Sequence, residues 1–312
     1  GSTGRPKGVM VSHRNVVGFL YSYREVVDLK VRRVSTNVTT YAFDVSVAEI
    51  FSPLCYGGTL HIVPYETTLD GSRLANYLID HHINATHIVP DILPDVAATF
   101  EARKDVGNLL CLDTGLAPKK EGLLQRFRDL SPTLRIINSY GPTETTCAAT
   151  AYEFESATDP ERDVPIGKPF PDYQIYIVND MLEPVPVGVT GEILIGGIGV
   201  SRGYVNQSDL TEQRFIPNPF GTAAVDHVYR TGDLGRYLDD GTIEFLGRGD
   251  HQVKIRGHRI ELREIELVVE NHPLVKSCHA STSTIAEDDV RLVAYVVCTE
   301  NKQNVETTLR QY

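Results

Sequence analysis

Short apolar runs alternate with helical patterns between residues 37 and 140, and this alternation restricts the fold more than any other feature of the chain. The runs are a few residues long and rich in Val, Ile, Leu and Thr, which predicts strands. The segments between them carry apolar residues at helical spacing. This order predicts a largely parallel sheet with helices on both faces. The predicted strands are 8–12, 37–42, 59–63, 86–89, 109–112 and 134–138, and the predicted helices are 12–27, 45–56, 71–83, 92–103 and 118–130.

The pattern changes after residue 155, where short strands are separated by turns and a smaller antiparallel region is expected. Beyond Asp250 a basic hairpin is followed by a short helix and two strands. The predicted fold class is therefore α/β: a large lobe, residues 1–249, and a small α+β lobe, residues 250–312. The elements predicted in these parts are strands 173–178, 192–195, 234–237 and 243–246, helix 264–271, and strands 276–281 and 291–297.

Residues 1–8 combine three glycines with two hydroxyl side chains and two cations. Glycines allow backbone N–H groups to converge on one point, and hydroxyls and cations add donors and positive charge, which is how a loop holds phosphate. The stretch lacks the Gly-Lys-Ser/Thr sequence that runs into a helix in P-loop proteins. It therefore predicts either a phosphate loop of another kind or an ordinary surface turn.

Several polar residues follow directly after predicted strands. Asp44, Thr114 and Ser139 each lie just past a strand's carboxyl end, together with Gly115 and Tyr140. In open α/β sheets, ligands bind in the crevice outside those ends. We therefore expect these residues to converge on one crevice.

The acidic balance of the chain restricts its partners. Its 312 residues carry 41 acidic and 30 basic side chains, for a net charge of −11. This argues against nucleic acid or an anionic membrane surface as the main partner. No apolar run approaches the ~20 residues needed to cross a bilayer. The five cysteines form no Cys-x-x-Cys pair, which favours small buried thiols in a reducing, cytoplasmic environment.

Six ordered stretches closely resemble the core motifs of the amino-acid-activating adenylation domains of nonribosomal peptide synthetases. Those domains belong to the adenylate-forming family that includes acyl-CoA synthetases and firefly luciferase. The resemblance extends from Gly1 to about Val297, and six motifs in order are far more specific than any single one. The stretches are Gly1–Gly8, Tyr41–Ser46, Asn138–Glu144, Gly191–Gly197 with Ser201–Tyr204, Tyr229–Leu234 and Gly247–Glu261.

The resemblance implies an activity and its partners. A carboxylate attacks the α-phosphate of ATP, with Mg²⁺, to give an acyl-adenylate and pyrophosphate. The acyl group then passes to the phosphopantetheine thiol of a carrier protein domain, beside neighbouring synthetase domains. The resemblance also implies residues before Gly1 and after Tyr312, including a lysine that contacts substrate and nucleotide. We therefore expect this sequence to be a fragment that is nearly inactive alone.

The resemblance assigns roles in nucleotide binding and catalysis, with Thr3, Lys7 and Glu144 as the catalytic residues. Glu144 resembles the magnesium ligand, Tyr140 the ring that stacks on adenine and Asp233 the carboxylate that binds both ribose hydroxyls. The alternatives are a helix N-terminal acid, a core tyrosine and a turn aspartate, respectively. The full set implied to bind nucleotide is Ser2, Thr3, Gly4, Lys7, Gly115, Asn138, Tyr140, Gly141, Thr143, Asp233 and Arg248, of which Arg248 has a surface ion pair as its alternative.

Asp44 is the most informative substrate residue. The resemblance implies that its carboxylate pairs with the α-ammonium of an amino acid, whereas the plain alternative is a helix N-cap. Because no other implied lining residue is charged, a neutral amino acid of medium or larger size is expected, with tyrosine-like and leucine-like substrates both open. The implied pocket lining is Asp44, Val45, Ala48, Ile88, Leu112, Thr114, Ser139, Cys147 and Ala148.

Asp250 resembles the hinge on which the small lobe turns between the two half-reactions, and an ordinary solvated β face is the alternative for the basic hairpin after it. Two other functions remain open. One is an acyl- or aryl-CoA synthetase, against which Asp44 and the run Gln252–Gly257 both argue. The other is a non-catalytic nucleotide-binding fragment.

Overall fold

A computed structural model of the chain describes residues 7–27, 32–221, 226–249, 252–255, 258–286, 289–299 and 309. The backbone divides into two compact units. The first comprises residues 9–247, and the second comprises the described residues among 1–8 and 248–312. No helix among the described residues is long and apolar enough to cross a membrane.

A seven-stranded sheet forms the centre of the first unit. Its strands are β1 (Val34–Asn37), β2 (Thr59–Ile62), β3 (Ala85–His87), β4 (Cys111–Asp113), β5 (Arg135–Tyr140), β6 (Thr150–Phe154) and β7 (Lys168–Pro169). Their order is β2-β1-β3-β4-β5-β6-β7. The first five pair in parallel, whereas β6 and β7 join antiparallel. The predicted mostly parallel sheet is therefore confirmed.

Helices cover both faces of this sheet. They are α1 (His13–Val26), α2 (Val45–Cys55), α3 (Tyr65–Thr68), α4 (Gly71–Asp80), α5 (Leu93–Arg103) and α6 (Glu121–Leu130). A further helix, α7 (Ser208–Arg214), follows later in the chain, and its Leu210 packs in a separate apolar cluster. Apolar residues of α1 and α2 share one buried cluster with Cys111 of β4. Apolar residues of α4, α5 and α6 share another cluster with the next residue, Leu112. The alternation of side chains along a strand therefore sends neighbouring residues into different cores.

The smaller antiparallel region is also confirmed. Its strands are β8 (Tyr173–Val178), β9 (Gly191–Gly197), β10 (Phe215–Pro217), β11 (His227–Tyr237) and β12 (Ile243–Arg248). They form a five-stranded sheet with the order β10-β11-β9-β8, and β12 pairs with β11. The register of β11 against β9 shifts between Arg230 and Leu234, which marks a bulge.

The second unit consists of two hairpins and a helix. The hairpins are β13 (Gln252–Ile255) with β14 (His258–Glu261), and β15 (Val275–Ala286) with β16 (Asp289–Cys298); α8 (Leu262–Glu270) lies between them in the chain. Glu266 of α8 accepts a hydrogen bond from the backbone N–H of Ala280 at 3.0 Å, which ties the helix to β15. This part has the expected α+β character, and Asp250 lies outside the described residues.

Two predicted strands differ from the observed ones. Strand 37–42 was expected to lead up to Asp44, but β1 ends at Asn37. Beyond it, the backbone N–H of Thr39 donates to Glu49 Oε2 at 3.0 Å, so this N–H is satisfied by a side chain. Likewise, the predicted strand 8–12 is reduced to one antiparallel bridge between Val9 and Tyr204.

Candidate functional site

A large open cavity lies beside the amino ends of α1 and α2. It measures about 1540 Å³ and is lined in part by Asp44, Thr143 and Cys147. Three predicted site residues from two distant stretches of sequence therefore border the same space. The cavity is also lined by residues of α1, including Asn15, and by Ile198 in the turn after β9. Two hydrogen bonds fasten this wall, because Asn15 Nδ2 donates to the carbonyl oxygens of Ile198 and Val200 at 2.7 and 3.0 Å.

Asp44 occupies the position directly before α2. Its backbone is already helical, with φ −65° and ψ −26°, and its side chain makes no capping hydrogen bond. Its carbonyl oxygen accepts a hydrogen bond from Cys147 Sγ at 2.9 Å. Burial raises the pKa of the Cys147 thiol, and the nearby charge of Asp44 raises it further. The carboxylate of Asp44 is therefore not used to cap the helix, and its substrate role stays a prediction.

A hydrogen bond joins the two sheets at the predicted nucleotide residues. The hydroxyl of Tyr140, at the end of β5, donates to Asp233 Oδ2 on β11 at 2.5 Å. The ring of Tyr140 also lies 6.0 Å from that of Phe245, measured between centroids. Asp233 falls within the β11 bulge, next to Gly232 with φ +74°, a left-handed conformation that glycine adopts readily. The bulge therefore sets where the Asp233 carboxylate is presented.

The turn after Tyr140 is tightly packed. A Cβ atom on Gly141 would lie 2.5 Å from the Cα of Ala148, so only glycine fits there. Thr146 and Cys147 follow in succession with φ of +63° and +67°. Non-glycine residues adopt this conformation rarely and at an energetic cost, and such strain concentrates at functional sites. The turn also holds Thr143, which is exposed.

Glu144 lies in the same turn and is 1% exposed. Its Oε1 accepts a hydrogen bond from the hydroxyl of Tyr204 at 2.7 Å. Burial raises the pKa of Tyr204 first, and the neighbouring Tyr229 and Glu144 raise it further, so this hydroxyl stays protonated and donates. Tyr204 belongs to a motif of the sequence but carried no predicted role.

The fit of Glu144 to a magnesium ion follows from its oxygen donors. The described residues contain no group of three or more His, Cys, Asp or Glu that would enclose a metal. Magnesium is usually held by one or two carboxylates together with substrate phosphates. A single carboxylate held in place within a turn fits that pattern.

Asn138 is occupied by internal partners. Its Nδ2 donates to the carbonyl oxygen of Pro165 at 2.7 Å, and its Oδ1 accepts from Lys119 Nζ at 2.6 Å. Lys119 is 5% exposed and also donates to the carbonyl oxygen of Thr114 at 3.1 Å. This buried lysine therefore links the carboxyl ends of β4 and β5, and sequence reasoning missed it. The predicted contact of Asn138 with adenine is not tested by these bonds.

The residues predicted to line the substrate pocket lie on two opposite sides of the seven-stranded sheet. Ala48, Cys147 and Ala148 belong to the core on the α1–α2 side. Ile88 and Leu112 are fully buried in the core on the α4–α6 side. These two side chains are therefore not brought together with the other three, and their place in the lining stays a prediction.

The remaining predicted site residues lie in several different parts of the structure. Val45 and Ala48 line a second, small cavity. Ser139 Oγ donates to Asp113 Oδ1 at 2.8 Å, and buried Gly115 packs against the backbone at Ser139. Lys7 and Arg248, both half-buried, belong to the second unit. Ser2, Thr3, Gly4 and Asp250 lie outside the described residues.

The second cavity contains the polar residues that sequence reasoning missed most clearly. Tyr23, Glu49, His87 and Asp113 line it, and each is less than 9% exposed. Burial raises the pKa of Glu49, although the nearby His87 lowers it in part. Burial also raises the pKa of Tyr23, followed by the charge of Asp113. The available signal was a polar residue at the end of a buried strand, which applies to Asp113 at the end of β4.

The family of the chain follows from comparison with known proteins. A family model described as AMP-binding enzyme matches residues 1–205, so the chain belongs to the AMP-binding enzyme family. Tyrocidine synthase 3 of Brevibacillus parabrevis is 41% identical over 300 residues, covering 95% of this chain and 4% of that protein. This chain spans less than a tenth of the length of such relatives. The predicted resemblance to peptide synthetases is thereby confirmed.

Two solved structures share the fold over nearly the whole chain. NpsA-ThdA from Klebsiella oxytoca, an artificially fused adenylation–PCP di-domain, has a TM-score of 0.81 and 26% identity over 98% of this chain and 55% of its own. The Vibrio cholerae adenylation domain AlmE, in complex with glycyl-adenosine-5′-phosphate, has a TM-score of 0.83 and 27% identity. That match covers 100% of this chain and 59% of AlmE.

Proposed function

We propose that this chain activates an amino acid as its aminoacyl-adenylate, with ATP as co-substrate and release of pyrophosphate. The observation that carries the proposal is the position of Asp44. Its carboxylate is not used to cap α2, and the residue lines the large open cavity. A carboxylate there suits the α-ammonium group of an amino acid, whereas a fatty or aryl acid has no group that needs it. The AlmE complex with glycyl-adenosine-5′-phosphate supports the same chemistry.

We assign nucleotide binding to residues at the junction of the two sheets. In this proposal the Tyr140 ring stacks on adenine, and Asp233 accepts hydrogen bonds from the ribose hydroxyls. The hydroxyl of Tyr140 donates to Oδ2 of Asp233, and this bond fixes the orientation of the carboxylate, including its other oxygen, Oδ1. Gly115, Gly141 and Thr143 are proposed as the surrounding backbone, and Ser2, Thr3, Gly4, Lys7 and Arg248 as the further nucleotide ligands that the family resemblance implies.

Glu144 is the proposed magnesium ligand. When bound, the ion would neutralise phosphate charge that develops as pyrophosphate leaves. Tyr204 holds Glu144 Oε1 at 2.7 Å, so the carboxylate cannot rotate freely in its turn. The role of this chain's own residues is therefore to position the reactants and to present fixed charge, the dominant contributions in such reactions.

The partners of the whole protein belong to the proposal as well. A carrier domain bearing phosphopantetheine would accept the acyl group, and the similarity to NpsA-ThdA, an artificially fused adenylation–PCP di-domain, supports such a partner. Residues 250–312 are proposed as a separate lobe, with Asp250 as its hinge. The substrate is proposed to be a neutral amino acid.

The test is ATP–pyrophosphate exchange by the full-length protein with amino acids, fatty acids and aryl acids. Exchange that depends on an amino acid is the expected result, and Asp44→Asn should abolish it. Exchange with fatty or aryl acids but not with amino acids would instead assign an acyl- or aryl-CoA synthetase. Nucleotide binding without exchange for any acid would assign a non-catalytic nucleotide-binding function.

A further inference from the structure

The small second cavity lies between α2 and the first sheet. It measures about 40 Å³ and is lined by Val45 and Ala48 of α2 and by polar side chains of the strands and of α1. A buried water needs about 10–15 Å³ of such space, so the cavity accommodates a group of two or three non-hydrogen atoms. An aromatic ring would not fit. The polar lining sets this cavity apart from an ordinary packing defect, which is apolar.

Most of the polar side chains around the cavity have hydrogen-bond partners within the fold. Asp113 accepts hydrogen bonds from the hydroxyls of Tyr23 and Ser139 at 2.7 and 2.8 Å. Glu49 accepts from the side chain of Asn37 at 2.6 Å and from Thr39. The two carboxylates therefore have donors within the fold.

Two buried polar side chains that line the cavity differ from the others in their hydrogen bonding. Ser35 Oγ and His87 Nε2 have no hydrogen-bond partner among the described residues. Ser35 is 6% exposed and His87 is 7% exposed, so water outside the protein does not satisfy them. Buried polar groups without a partner are rare in native proteins and call for an explanation. A ligand group that enters the cavity would provide one.

The first turn of α2 borders both cavities. Asp44 lines the large cavity, and Val45 and Ala48 line the small one. At 1.5 Å per residue, the four residues from Asp44 to Ala48 span about 6 Å along the helix. This is about the length of an extended side chain of four or five non-hydrogen atoms. An amino acid whose ammonium group pairs with Asp44 could therefore place the end of its side chain in the small cavity.

The charges around the cavity favour a neutral end group. The lining holds two carboxylates, Asp113 and Glu49, together with the guanidinium of Arg33 and the imidazole of His87. Because the lining carries charges of both signs, a cationic end group would meet Arg33 beside the carboxylates, and an anionic one would meet Asp113 and Glu49 beside the guanidinium. A neutral group that can both donate and accept suits Ser35 and either tautomer of His87.

We propose that the substrate is an amino acid whose neutral side chain ends in an amide or hydroxyl group, and that Ser35 and His87 recognise that end. The inference rests on the proposed amino-acid activation and narrows its substrate class. Ser35 and His87 act as specificity-determining residues. They hydrogen-bond the polar end and disfavour an apolar side chain of the same shape, which would leave both atoms without partners.

The first experiment measures ATP–pyrophosphate exchange by the full-length protein with pairs of amino acids of matched shape. Asparagine is compared with leucine, and glutamine with both glutamate and norleucine. We expect the best substrate to be a neutral polar member, with kcat/KM on the order of 100-fold above its apolar partner. A best substrate with an apolar, aromatic or charged side chain overturns the inference but leaves the proposed function standing. No exchange with any amino acid overturns the proposed function itself.

The second experiment changes the two recognising residues. Ser35→Ala and His87→Leu should each lower kcat/KM for the polar member about 10-fold, while the apolar partner is unchanged or improved. His87→Asn, which keeps hydrogen-bonding atoms, should retain part of the preference. The matched controls are Ser72→Ala and His81→Leu, at exposed positions of the same unit.

Thermal unfolding of each variant shows that it is folded. If His87→Leu does not fold, Ser35→Ala carries the test, because it removes a single oxygen atom. Equal losses for both members of a pair would mean that the two residues only support the fold and that the cavity holds nothing but water. That result overturns the inference.

Discussion

Replacing Asp233 with alanine should weaken ATP binding by two to four orders of magnitude. Asp233 is 7% exposed, and its Oδ2 already accepts the hydroxyl of Tyr140. Two ribose hydrogen bonds to a charged acceptor are worth about 1.5–3 kcal/mol each, or roughly 3–6 kcal/mol together. At 1.4 kcal/mol per tenfold change, this corresponds to about 10²–10⁴ in Kd.

The assay is calorimetric titration of the full-length protein with ATP and Mg²⁺. Tyr140→Phe removes the internal hydrogen bond but leaves the carboxylate, so its loss should be smaller, about tenfold. Asp180→Ala, at an exposed turn, is the control and should bind as the wild type does. A folded Asp233→Ala variant whose affinity stays within threefold of the wild type would remove Asp233 from the nucleotide site.

Three further outcomes are expected. Asp44→Ala should abolish amino-acid-dependent pyrophosphate exchange while leaving ATP affinity within about twofold, because the carboxylate serves the ammonium group; parallel titrations and exchange assays check this. Gly141→Ala should lower the free energy of unfolding in urea by more than Gly188→Ala. The new methyl at 141 would lie 2.5 Å from backbone, whereas nothing lies within 4 Å of one at 188, where the cost is the strain of a φ of +82° alone. Cys147 should resist alkylation in the native protein because burial raises its pKa, whereas exposed Cys55 should be modified; peptide mass spectrometry would show the reverse if the packing of Cys147 were wrong.

Local sequence determined most of the secondary structure and the order of the site motifs. Tyr173–Val178 was predicted to the residue, because its pattern and flanking turns are local. Asp44 was placed before a helix on the same grounds. The second sheet and the α+β part were recognised because turns and short strands follow one another closely there. Each of these predictions depends on residues within a few positions of one another.

Which side chains line the two cavities was decided only by the tertiary structure. Tyr140 and Asp233 are 93 residues apart, and their hydrogen bond depends on how two sheets pack. The faces of β4 illustrate the same limit. A strand sends successive side chains to opposite faces, so a shift of one residue exchanges which side chains meet α2 and which meet α6. Cys111 and Asp113 therefore line the small cavity while Leu112 packs in the opposite core, a division set by the pairing of the sheet and the helices packed on it.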